Sequence, residues 1–180
     1  MPYRRLPNTD QARIRALSAI VQKGETLNVY DLAFSLKSLS LVRNFLPKLE
    51  AAHTFYVECF EQQSKAGRKH AANAKMARLY LSHFIQVLNL AVIRAEIKAA
   101  HKDYYGLDVR NHIVPDLTTD ANMAEWGTKV IAGEQKRMSL GGVPIYNPTI
   151  AKVKVHFDIF MQNYEKQKDL QLATTHSLET

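Results

Sequence analysis

The chain has 180 residues, with 24 Lys and Arg against 17 Asp and Glu, so its formal charge at neutral pH is +7. Apolar residues make up 46% of it, which excludes a disordered chain, because disorder goes with low apolar content and high net charge. The single cysteine, Cys59, excludes an intramolecular disulfide framework and a cysteine-based zinc site, and seven glycines with six prolines are too few for a many-turned all-β fold.

Arg4 and Arg5 near the start are not followed by the apolar stretch of a secretory signal. The longest uncharged run, 79–93, is fifteen residues and carries Ser82, His83, Gln86 and Asn89. A spanning helix needs about 20 residues, so the expectation is a cytoplasmic protein with no membrane segment. Asn8 or Thr9 suits the N-cap of a first helix over about 9–23, with Ile14, Leu17, Ile20 and Val21 on one face and Gly24 as a left-handed stop. Leu39, Val42, Leu46, Leu49, His53, Tyr56, Phe60 and Gln63 then follow in alternating steps of three and four, the heptad seam of a helix over about 36–66. Pro47 should kink it or restart it, and Lys65-Ala66-Gly67-Arg68 reads as a break. A third helix over about 70–101 is apolar on most sides, which suits a central position, and Gly106 closes it. Thr118 or Thr119 caps a helix over 119–139, ended by Gly141-Gly142. Asn147-Pro148 then opens one over 148–173, with Ile150, Val153, Phe157, Phe160 and Tyr164 on its seam. Long seams with short turns predict one all-α domain, 1–180: an elongated antiparallel up-and-down bundle of four main helices with a short N-terminal one.

Three stretches carry a resemblance: Tyr3-Arg4-Arg5-Leu6-Pro7-Asn8-Thr9-Asp10-Gln11-Ala12-Arg13, the 82–89 segment Ser-His-Phe-Ile-Gln-Val-Leu-Asn, and the 141–154 segment Gly-Gly-Val-Pro-Ile-Tyr-Asn-Pro-Thr-Ile-Ala-Lys-Val-Lys. Together they resemble a family of uncharacterised bacterial helical proteins. The resemblance implies a helical fold and no particular chemistry, and it carries over no functional residue. It also implies that relatives run on past the equivalent of Leu172 with further charged helix, which would make +7 a feature of the shorter chain.

A carboxylate-bridged di-metal centre needs two Glu-x-x-His pairs; Glu50 and His53 form one and no second exists. His53, His83 and His156 would hold a divalent ion if they met at one level. The alternative is that each is a packed histidine bonded to a neighbour. No phosphate loop, nucleophile elbow or His-Glu-x-x-His helix is present, so neither a catalytic residue nor a cofactor is expected. The positive charge is local. Arg4, Arg5, Arg13, Arg15 and Lys23 face one acid in residues 1–23, and Lys65, Arg68, Lys69, Lys75 and Arg78 face none in 65–78. Such clusters attract phosphate backbones. The leading expectation is a non-catalytic helical scaffold or interaction module that self-associates or takes a protein partner. A nucleic-acid-associated protein using those basic residues is second, and a metal-binding bundle is third.

Overall fold

The structure is a computed structural model that describes residues 6–179, and every regular element among them is helical. The α-helices are α1, Asp10–Thr26; α2, Leu36–Ile93; α3, Asp120–Ser139; and α4, Ile150–Glu179. Short 3-10 segments, Val29–Asp31 and Ala99–Tyr105, precede and follow α2. The caps are those the sequence offers. Thr9 Oγ1 accepts from Ala12 N at 3.2 Å, and Thr119 Oγ1 from Asn122 N at 3.1 Å. Each satisfies an amide that the first helical turn leaves unpaired.

The expected break at 65–68 does not occur. Helices expected over 36–66 and 70–101 are one helix, Leu36–Ile93, continuous through both Pro47 and Gly67. The reason lies in the register. Beyond Gln63 the steps of three and four continue through Gly67, His70, Ala74, Ala77, Leu81, Phe84, Leu88 and Ala91, so one seam runs from Leu39 to Ala91. A glycine inside a helix costs only about 1 kcal/mol, less than the burial of two large apolar side chains on the same face contributes. The helix stops at Ile93 instead. There Glu96 N donates to the Ala91 carbonyl at 2.9 Å, and Ala95 takes a positive φ of 59° in the position a glycine usually fills. Gly24 is also not a stop. α1 continues to Thr26, and an added Cβ at Gly24 would lie 2.6 Å from the Leu39 side chain, so its role is close approach of two helices.

Contacts gather into two compact units. Unit 2 is Gln63–Gln171, and unit 1 holds the residues up to Gln62 together with those from Leu172 onward. In unit 1, α1 runs antiparallel to the first half of α2: Gly24 sits against Leu39, and Glu25 lies 3.9 Å from Arg43. Leu17 shares a hollow with Phe45 and Leu49. Leu39 and Leu46 are buried, but α1 buries none of its residues.

Unit 2 has a closed core of Leu81, Phe84, Ile85, Leu88, Met123, Val130, Val153 and Phe160, none more than 1% exposed. The uncharged 79–93 run supplies half of these. α2 is the one described helix long and apolar enough to cross a membrane. The expected up-and-down order does not hold in this unit. α4 is antiparallel to α2, since Tyr164 lies by His70 and His156 by Tyr80. α3 runs parallel to α2: Asp120 bonds His70 at one end, and Arg137 shares a cleft with Val87 and Ala91 at the other. The chain returns between them as an extended segment along α2. Asn89 Nδ2 donates to the His112 carbonyl at 3.0 Å, and Arg78 donates to the Leu117 and Thr118 carbonyls at 2.7 and 2.9 Å. Eleven helical residues rise about 17 Å, and five extended ones cover the same distance, so a short loop spans a long helix.

Candidate functional site

α3 carries its buried face on a heptad spacing: Met123, Gly127, Val130, Glu134 and Arg137. Gly127 is there because the Phe157 ring occupies the space, and an added Cβ would lie 2.1 Å from it. The last two positions put a carboxylate and a guanidinium into the core, at 1% and 3% exposure. The Tyr105 hydroxyl donates to Glu134. Arg137 Nε donates to Glu134 Oε2 at 2.9 Å and to the Tyr105 oxygen at 2.9 Å, and Nη2 donates to Glu134 Oε1 and to the Val143 carbonyl, each at 2.7 Å. Ile145 N completes the set on Glu134 Oε1 at 3.3 Å. Burial pushes the Tyr105 hydroxyl above its ordinary pKa, reinforced by its bond to the carboxylate. Burial alone would lower Arg137, but its bonds to Glu134 and Tyr105 outweigh that and hold it protonated.

Beside this cluster opens a cleft of about 660 Å³, walled by the 141–146 segment, with Val87, Ala91 and Ile97 on its apolar side and Lys98 and His101 among its polar residues. Arg137 reaches it from inside. An added Cβ at Gly142 would lie 2.6 Å from Nη1, so the glycine lets the guanidinium lie against the wall. Lys102 is buried nearby and donates to the Asn111 carbonyl; burial lowers its pKa, opposed by the charge of Asp108.

The residues expected to carry function disperse. His53 belongs to unit 1, where its Nδ1 is buried without a partner beside a small hollow it shares with Asp10, Tyr56 and Ser177. Glu50 is exposed. In unit 2, His83 is exposed on α2 and not in an apolar centre, because it falls outside the seam. His156 stacks on Tyr80 with ring centroids 4.2 Å apart. Among the described residues no three His, Cys, Asp or Glu come together in a way that would hold a metal ion.

The basic residues sort by their bonds. Arg4 and Arg5 lie outside the described residues. Arg13 pairs with Asp10 at 2.8 Å, and Arg15 is exposed. Arg78 is a clamp for the extended return. Because the helix continues where a turn was expected, Lys65, Arg68, Lys69 and Lys75 form an exposed stripe on one face of α2. At 1.5 Å per residue it is about 15 Å long.

Glu134, Arg137 and Tyr105 were not among the sequence candidates. The signal was present: 123, 127, 130, 134 and 137 keep the seam spacing, so a charged pair stood at core positions. His70 likewise stands on the α2 seam, bonded to Asp120 at 2.8 Å between the Phe160 and Tyr164 rings. Compared with protein-family models, curated proteins and solved structures, the chain matches none.

Proposed function

We propose that the protein is a non-catalytic helical interaction module that pairs with a second copy of itself through unit 1. One observation carries the reading. About 100° round α2 from the seam that faces α1 runs a second row at the same spacing, Leu41, Phe45, Lys48, Ala52, Phe55 and Cys59, whose Phe45 and Ala52 border hollows that α1 residues also line. Leu41, Phe45 and Phe55 on it are 63%, 54% and 50% exposed. Steps of four and three suit a neighbouring helix and not a flat surface, and large apolar side chains in register mark an interaction face. Lys48 is the only charge in the row, so a two-fold copy sets apolar against apolar with no complementary charge needed. Two α1–α2 hairpins would then complete a four-helix antiparallel bundle. The reading suits an aqueous, reducing compartment such as the cytoplasm. Sedimentation velocity across a concentration series tests it: the dimer fraction should rise with concentration, and Phe45→Glu with Phe55→Glu should give a monomer of unchanged helicity. A native chain that stays monomeric throughout overturns it.

A second reading is favoured by the aligned stripe of Lys65, Arg68, Lys69 and Lys75. Cations on one helix face follow a phosphate backbone, and the affinity falls steeply with salt. Fluorescence anisotropy with a labelled duplex should show binding at low salt that is lost in the Lys65→Ala, Lys69→Ala variant. No binding at low salt removes the reading.

A further inference from the structure

The cleft beside Arg137 has the parts of a ligand site. Glu134, Tyr105 and the Val143 carbonyl occupy Nε and Nη2, while Nη1 has no acceptor among the described residues and lies against Gly142 in the cleft wall. A guanidinium that is 97% buried, with two N–H groups left over, is a directed anion donor already desolvated and held rigid. Lys98 adds positive charge at the same cleft and His101 a ring nitrogen, whereas Glu96 is held by Arg94 at 2.8 and 3.1 Å. The rest of the lining is chiefly apolar: Val87, Ala91, Ile97 and much of the 141–146 segment. The volume, about 660 Å³, falls within the range of small-molecule sites.

We infer that this cleft binds a small organic carboxylate, its anionic end on Arg137 Nη1 and its apolar body against Val87, Ala91 and Ile97. One free guanidinium nitrogen matches a carboxylate; a phosphate, with three oxygens, would call for more fixed donors than the cleft supplies. The site is wholly within unit 2 and independent of pairing through unit 1.

Isothermal titration of the full chain with octanoate, octyl phosphate and octanol tests the assignment. Octanoate should saturate one site, and octanol, with the same tail and no charge, should bind about tenfold or more weakly, a difference worth about 1.4 kcal/mol. Octyl phosphate should bind no tighter than octanoate. Lys98→Glu is at the surface and should weaken octanoate several-fold without changing helicity. Arg137→Lys should weaken it further and, if that variant does not fold, the octanoate-induced amide shifts of Gly141 and Gly142 in the native chain give the same information. Absence of saturable octanoate binding, equal binding of octanol, indifference to Lys98→Glu, or tighter binding of octyl phosphate would each overturn the assignment.

Discussion

One helix, α2, passes through both units with one unbroken seam, and its fate differs between them. In unit 2 the seam from His70 to Ala91 is covered by α3, α4 and the extended return, so Leu81, Phe84 and Leu88 are at most 1% exposed. In unit 1 the same seam meets α1, which buries none of its own residues; Leu39 and Leu46 are buried there, but Phe60 on the seam and Phe45 and Phe55 on the row beside it stay half exposed. Periodicity sets which face of a helix is apolar; the number of neighbours around it sets whether that face becomes a core. A closed core defines a fold, and an open one is surface available for association.

That contrast can be tested by substitution, beginning where the effect is greatest. Phe84→Ala in the closed core should cost about 3–5 kcal/mol in urea unfolding, whereas Phe45→Ala in unit 1 should stay within about 0.5 kcal/mol for the monomer. Equal costs would mean that unit 1 is as closed as unit 2. Glu134→Ala should cost about 3–5 kcal/mol by leaving Arg137 buried without its counter-charge, and replacing both residues with Met should cost clearly less.

The glycines give a finer comparison. Gly127→Ala forces a Cβ into the Phe157 ring and should cost about 1–3 kcal/mol. Gly24→Ala meets the end of a single aliphatic side chain, Leu39, and should cost less than the Gly127 change, about 1 kcal/mol. At Gly67 the sign reverses. The nearest atom to an added Cβ is Gln167 Nε2 at 4.0 Å, so Gly67→Ala should raise stability by about 0.5–1 kcal/mol through helix propensity alone. A loss there would mean the helix is interrupted after all.

The smallest expected effect is on the extended return. Hydrogen bonds from the Thr118 side chain and backbone, helped by Asn122, hold the Asp116 carboxyl below its ordinary pKa. A lowered folded pKa means that its stabilising contribution is present above the unfolded value of about 3.9 and is lost as pH falls through the folded value. An NMR titration of Asp116 should therefore show a midpoint below that of an unfolded reference peptide, and Asp116→Asn should flatten the acid limb of stability for unit 2.

Much of the fold was legible. The caps at Thr9 and Thr119, the α4 seam of Val153, Phe157 and Phe160, and the all-helical class follow from spacing and composition. At 65–68 a glycine among lysines has the local look of a turn, although the heptad steps pass through it unchanged and the helix follows them. Glu134 and Arg137 are buried only because they find each other and Tyr105, and charged residues without such partners stand in solvent. Tyr105, on a 3-10 segment 29 residues away in the chain, gave no sign of being such a partner.

By itself, then, the sequence determined that the chain is helical, where the four helices begin to within two residues, and the apolar seams along them, because those depend on steps of three and four residues and on local caps. The tertiary structure decided the rest. It set α2 and α3 parallel, since an extended segment covers in five residues what a helix covers in eleven. It also turned the residues following a presumed turn into a cationic stripe, and gathered Tyr105, Glu134 and Arg137 beside a cleft. Contacts between residues far apart in the chain decide these, and no local periodicity encodes them.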